Sequence, residues 1–348
     1  MSKIDIEKLP IINISLMETN EGKNVIAQEI QKACKEHGFF YICGHGIDQH
    51  FIEQLFDVVK RFFSLPLDVK MKWKMGLTNR EYLGFFKVGQ EITYGAVDWK
   101  EGVYIDCEKP YDLKVNVDVP LFPTREEETQ YGIIGFKDII ENYIHQLTRL
   151  GQHILEAIAL SLELPSSYFF EKYTFDPFTM LAMLHYPSFH NESLKNNSPD
   201  ESSKVKFGTG PHTDQGVLTI LYQDDVGGLQ VKSKNGDEFI DAPPIPGTFI
   251  CNIGDMLDKM TGGYYLSNVH RVKYNTTGRP RFSFPFFLDP NLNSVPELVP
   301  TDFVNLGEKP ERWDKQNIHQ FNGTYGDYFL TKVGRIFPEY VYKENGKL

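Results

Sequence analysis

The chain has 348 residues, 41% of them apolar and 14% aromatic, which is enough to bury a sizeable core and too much for a disordered chain. Its 47 acidic against 36 basic residues give a net charge of -11 with no dense Lys/Arg block, which argues against nucleic acid or an anionic membrane surface as a partner. The opening MSKIDIEKLPIINIS alternates charged and apolar residues in its first ten positions, and no segment approaches the roughly 20 apolar residues of a membrane span, so a soluble, cytoplasmic protein is expected, with a monomer as the default.

Along the chain, Ile26, Ile30 and Ala33 recur at helical spacing until Gly38, and Phe39 to Ile42 reads as a short strand. Asp48 is a suitable N-cap for a second helix with Phe51, Leu55, Phe56, Val59 and Phe63 on one face, ending at Leu65-Pro66. A third, long helix is predicted from about Phe136 to Leu162, striped by Ile140, Tyr143, Leu147, Leu150, Ile154 and Ile158. After Pro177 the period changes. Short apolar runs bounded by turn residues follow: Met180 to Tyr186, Val217 to Tyr222, Gly228 to Val231, Phe239 to Ile240, Thr248 to Ile253, Asn268 to Tyr274 and Phe282 to Leu288. This pattern predicts a sandwich or barrel, with Asn235-Gly236 as a hairpin turn and the polar stretch 191–206 as a loop. A last helix, Tyr325 to Ile336, carries Phe329, Val333 and Phe337.

Cys34, Cys43, Cys107 and Cys251 have no C-x-x-C spacing, which predicts buried free thiols rather than a zinc cluster or a disulfide framework. His37, His50, His145, His153 and His319 lie on helical or loop segments and read as surface residues. His212 and Asp214 are two apart, so on extended backbone both side chains leave one face and can converge on an ion, although the pair alone is a weak signal. His270 falls in a predicted strand. The next strand opens with Arg281 and Ser283, which share a face; folded back as a hairpin, it would set Arg281 beside His270. A metal ligand near a guanidinium and a hydroxyl suits a dicarboxylate that chelates with one end and meets a bidentate cation with the other. Two histidines and one carboxylate leave three adjacent positions open on a six-coordinate ion, as in non-haem Fe(II) oxygenases. A zinc site would leave Arg281 and Ser283 without a purpose.

The strings PHTDQGVLTILYQDDVGGLQV, APPIPGTFICNIGDM, SNVHRV and RFSFPFFLDP resemble the isopenicillin N synthase-like branch of the 2-oxoglutarate/Fe(II)-dependent dioxygenases, and so do LPIINIS, ACKEHGFFYICGHGI, FFSLP, VDWKE and TYGDY. The resemblance spans nearly the whole chain. It implies an α+β fold whose double-stranded β-helix, a distorted jelly roll, is flanked by N-terminal and C-terminal helices. The expected division is 1–175 mainly helical, 176–290 core with the site, and 291–348 a helical segment packed on the core. It further implies His212, Asp214 and His270 as iron ligands and Arg281, Ser283 and Tyr186 as the grip on 2-oxoglutarate. Many plant members carry Asn-Tyr-Tyr-Pro where this chain has Leu184-His185-Tyr186-Pro187, so one co-substrate contact is expected to differ, and His185, out of phase with Tyr186, is expected in a wall or the core. Strand parity sets Phe287 and Asp289 on the Arg281 face, as candidates for contact with the organic substrate.

The implied reaction oxidises a small organic metabolite by hydroxylation, desaturation or ring closure, consuming O2 and 2-oxoglutarate with release of succinate and CO2, with ascorbate as an accessory requirement. Two alternatives stand beside it: an Fe(II) oxidase of the same family that needs no 2-oxoglutarate, like isopenicillin N synthase or aminocyclopropane carboxylate oxidase, and a non-catalytic binding protein on the same fold.

Overall fold

The computed structural model describes residues 8–76, 82–107, 121–189, 205–234, 236–304 and 312–337. Its helices are α1 (Asn20–Glu36), α2 (Gln49–Phe63), α3 (Leu67–Lys70), α4 (Arg125–Tyr131), α5 (Phe136–Ser161), α6 (Asp255–Met260) and α7 (Tyr325–Ile336). The strands are β1 (Ile11–Asn13), β2 (Phe39–Cys43), β3 (Gly84–Phe86), β4 (Ile92–Thr93), β5 (Ala96–Val97), β6 (Glu101–Ile105), β7 (Phe178–Tyr186), β8 (Phe207–His212), β9 (Leu218–Gln223), β10 (Leu229–Lys232), β11 (Phe239–Asp241), β12 (Phe249–Ile253), β13 (His270–Lys273) and β14 (Arg281–Asp289).

The large sheet runs β1-β2-β12-β9-β14-β7-β6-β3 and the small one β11-β10-β13-β8. Strands β7 to β14 therefore divide four and four between two facing sheets, the jelly roll that was expected, while β1, β2, β3 and β6 widen the large sheet from the N-terminal region. All seven apolar runs predicted after Pro177 appear as strands within two residues of their expected ends. The run at Asn268 to Tyr274 shortens to four residues, because β13 meets β8 with two irregularities of register. β10 and β11 pair as the expected hairpin, Lys232 opposite Phe239; Asn235 and most of the predicted polar loop lie outside the described residues.

The helices form where the apolar stripes predicted them. α1 ends as Gly38 turns to φ +67°, and the amides of His37 and Gly38 both donate to the Ala33 carbonyl. A Cβ at Gly38 would run into the Leu266 carbonyl, so this stop needs glycine on two counts. In α2 the Asp48 side chain caps the His50 amide, but the buried face is Ile52, Leu55, Val58, Val59, Phe62 and Phe63. Phe51 and Phe56 pack only at its edge, because the core covers a band rotated from the one their spacing suggested. All six residues of the α5 stripe are buried, and Gly151 lets that helix approach Leu288 of β14 closely.

β14 separates the two environments. It lies between β7 and β9 in unbroken register, so Phe282, Phe284, Phe286 and Leu288 face the helical layer, and Arg281, Ser283 and Phe287 face the small sheet. All four cysteines are free, Cys34 and Cys251 buried and the other two half-buried. Among the described residues no helix is long and apolar enough to cross a membrane.

Candidate active site

His212, the last residue of β8, stands directly opposite His270, the first of β13, and Asp214 follows two residues past the strand end. Their ligand atoms all fall within 4.8 Å of one another. Asp214 Oδ1 is 3.8 Å from His212 Nε2 and 3.6 Å from His270 Nε2. Each imidazole turns Nδ1 to a backbone carbonyl two residues earlier, His212 to Gly210 at 2.9 Å and His270 to Asn268 at 3.2 Å. That assigns the proton to Nδ1 and leaves the Nε2 lone pair free for an ion.

Electrostatics suit the same task. Burial, reinforced by His270, pushes the His212 imidazole down to about 4, so it stays neutral and able to ligate at neutral pH. Burial alone would raise the Asp214 carboxyl, yet the two facing imidazoles and the donors Asn252 and Thr219 hold it below the usual range. Asn252 Nδ2 (2.7 Å) and Thr219 Oγ1 (2.5 Å) both donate to Asp214 Oδ2, which fixes the carboxylate and leaves Oδ1 pointing at the histidines. Thr219 and Asn252 are paired across β9 and β12. They escaped sequence reasoning, although a polar residue inside the apolar runs LTILYQ and FICNI was a usable signal.

Deeper in the barrel, Arg281 is 2% exposed and among the described residues has no ion-pair partner. Its guanidinium donates to the Gly227 carbonyl (2.5 Å), Ser283 Oγ (3.0 Å) and Gln223 Oε1 (3.2 Å), and lies 4.7 Å from the centre of the Tyr186 ring. The Tyr186 hydroxyl meets Thr209 Oγ1 at 3.1 Å. Arg281 does approach His270, but the expected hairpin is absent: β13 and β14 belong to opposite sheets and face one another across the barrel. Segment 274–280 crosses between the sheets, and period-2 reasoning cannot tell such a crossing from a turn. Gln223 was also missed, since nothing local in its strand distinguishes it.

Arg281, Ser283, Tyr186, Leu184 and the three clustered residues line one inner cavity. A larger one of about 430 Å³ shares His212, Asp214 and Phe287 with it and opens toward α7. Phe287 thus sits between the two. Asp289 lies at the wall of the outer cavity, where Oδ2 accepts from the Tyr325 hydroxyl of α7 at 2.5 Å. Burial, only partly offset by Tyr325, pushes its carboxyl up to about 7. His185 points to the helical layer, stacked on Phe282 with Nδ1 2.8 Å from Glu101. It packs in the core beside the helical layer, the second of the two places expected for it.

A buried guanidinium with no ion-pair partner among the described residues, set below two imidazoles and an oriented carboxylate on a jelly roll, defines the chain as an enzyme of the 2-oxoglutarate and Fe(II) class. The chain belongs to the 2OG-Fe(II) oxygenase superfamily, whose model matches residues 178–290, while residues 9–125 match the N-terminal domain named for the non-haem dioxygenase in morphine synthesis. It is 64% identical to a 1-aminocyclopropane-1-carboxylate oxidase of Dictyostelium discoideum, over 99% of this chain and all of that one. It is 34% identical to a homoarginine-6-hydroxylase of Arabidopsis thaliana, over 96% and 98% of the two chains. Among solved structures, a full-length Neurospora crassa protein in complex with alpha-KG superposes with a TM-score of 0.77 at 28% identity, covering 96% of this chain and 98% of that one. The protein is an oxidoreductase that uses Fe(II), O2 and 2-oxoglutarate.

Proposed function

We propose that His212, Asp214 and His270 hold the iron and that Arg281, Ser283 and Tyr186 hold the far carboxylate of 2-oxoglutarate. The observation that carries this reading is Arg281: a buried guanidinium that has no ion-pair partner among the described residues is costly unless an anion arrives, and its Ser283 neighbour supplies a hydroxyl for the same oxygen. When bound, the iron supplies the redox chemistry that couples O2 reduction and decarboxylation of 2-oxoglutarate to oxidation of the substrate. The residues do the rest. Gly210 and Asn268 carbonyls keep both imidazoles in the ligating tautomer, Thr219 and Asn252 aim one carboxylate oxygen, and Tyr186 covers the guanidinium face. Leu184 stands where many plant relatives have Asn, so Gln223, bonded to Arg281, takes part in ordering this end of the pocket. The organic substrate is a small molecule seated in the outer cavity against Phe287, with Asp289 at its margin. A cytoplasmic monomer that engages no nucleic acid completes this reading, supported by the net charge of -11 and testable by size-exclusion chromatography.

The 64% identity to an aminocyclopropane carboxylate oxidase favours a second reading, in which this centre acts on such an amino acid without consuming 2-oxoglutarate. Arg281 and Ser283 do not separate the two, because that oxidase type also carries Arg-x-Ser. Succinate release does. Turnover accompanied by one succinate per substrate oxidised supports the first reading, and oxidation of aminocyclopropane carboxylate without succinate overturns it. Arg281→Gln should raise the Michaelis constant for 2-oxoglutarate by the equivalent of about 2 to 5 kcal/mol while iron content holds; an unchanged constant would again favour the second reading.

A further inference from the structure

We propose that Glu91 is the anionic anchor of the outer cavity and that the organic substrate presents to it a cationic nitrogen, a primary ammonium or a guanidinium. This rests on the assignment of the outer cavity to the substrate. Glu91 is 4% exposed and lines both cavities, so its carboxylate stands where the substrate must pass the metal-binding residues.

The charges around it do not balance. Asp98, Lys100 and Glu91 are all buried together, two carboxylates to one ammonium. Asp98 takes most of what is available: the Lys100 ammonium at 2.5 Å, the Thr93 hydroxyl at 2.8 Å and the Gly210 amide at 2.9 Å. Glu91 receives the Tyr104 hydroxyl on Oε1 at 3.2 Å and shares the Lys100 ammonium, which lies 3.0 Å from its Oε2. Burial, with Asp98 adding to it, pushes the Glu91 carboxyl above its ordinary range despite Lys100. A buried cluster in which two carboxylates share one ammonium is stabilised by an arriving cation and destabilised by an arriving anion.

The other buried charges on the same wall have partners. Asp314 and Lys332 are 3.7 Å apart, Asp289 is bonded to Tyr325, and Asp214 is turned to the histidines. Arg335 is exposed. Tyr82, Met180, Phe287 and Phe329 give the cavity its apolar side, which suits a short hydrocarbon stem behind the cationic head.

The test uses the full chain loaded with Mn(II) and 2-oxoglutarate, titrated by ligand-observed NMR with three probes of equal length: n-pentylamine, n-pentylguanidine and n-pentanol. The expected result is that one of the two cations binds at least about tenfold tighter than the alcohol. Glu91→Gln should abolish the preference, and Glu91→Asp should restore part of it. Equal affinity for cation and alcohol in the unsubstituted protein, no saturable binding of either cation, or a preference that survives Glu91→Gln overturns the proposal. The comparison among probes on the unsubstituted protein does not depend on the variants folding. Affinity for 2-oxoglutarate is titrated separately, so failure of the co-substrate reading appears as loss of that binding alone, with the amine comparison still legible on the Mn(II) form.

Discussion

At the scale of single residues, the proposed metal-binding group depends on where each side chain's second polar atom goes. Asp214 gives one oxygen to Thr219 and Asn252 and turns the other to the two histidines. Asp214→Ala should therefore cost two things at once. Removal of the anionic ligand should lower Fe(II) affinity at least about tenfold. Two buried donors lose their acceptor, which should destabilise the metal-free protein by about 1 to 3 kcal/mol. Iron content by metal analysis and a urea melt separate these effects, and wild-type iron content would sink the ligand assignment. Gly216 shows a residue-scale constraint of another kind: a Cβ there would land on the Asp289 carboxylate, so the turn that carries Asp214 requires glycine at that position.

At the scale of elements, β14 and α7 meet through Asp289 and Tyr325, and this contact should be visible in pH dependence. The Asp289 carboxyl rises from 3.8 to about 7 in the fold, so its neutral form is the one the fold favours. Its contribution to stability is fully present below 3.8 and is lost as pH climbs through about 7. Asp289→Asn keeps an acceptor for Tyr325 and removes the titration. The variant's melting temperature relative to the unsubstituted protein should therefore be higher at about pH 8 than at about pH 5 in metal-free samples. A difference that does not move with pH would mean that Asp289 is not held neutral. α7 itself starts at a capping box in which Thr324 and Asp327 satisfy each other's backbone amides, which places Tyr325 and Tyr328 on its inner face.

At the scale of the whole molecule, the C-terminal segment is bolted to the loop that carries Asp214. Arg312 donates to Asp255 at 2.7 Å and to Thr213 at 3.2 Å, and Lys332 and the Tyr328 hydroxyl reach the same buried Asp255. Arg312→Ala leaves Asp255 with one cation instead of two and should destabilise the protein by about 3 kcal/mol. Iron affinity should fall with it, because Thr213 lies between His212 and Asp214. Thermal unfolding and metal analysis check both, and unchanged values would detach the C-terminal segment from the site. Phe287 stands where the two cavities meet. Phe287→Ala should weaken substrate binding and release succinate without substrate oxidation, with Fe(II) and 2-oxoglutarate affinities near wild type. If the variant instead melts several degrees lower with the two reactions still coupled, Phe287 is a packing residue.

Much of this was legible along the chain because it depends on local periodicity. The α5 stripe, the α7 span, the strand runs after Pro177 and the parity of Arg281, Ser283 and Phe287 follow from repeats of about 3.6 and 2 residues, and the burial of those residues agrees with them. The His-x-Asp pair was readable for the same reason, since two residues apart on extended backbone means one face. What only the tertiary structure decided is which strand lies opposite which. It set β13 and β14 on facing sheets instead of in one hairpin, and brought Thr219 and Asn252 under Asp214. It also folded Glu91, Asp98 and Lys100 from the N-terminal region against the cavity. The physical reason is that these placements come from packing of sheet on sheet and of the N-terminal region on the barrel, which leaves no period in the sequence of either partner.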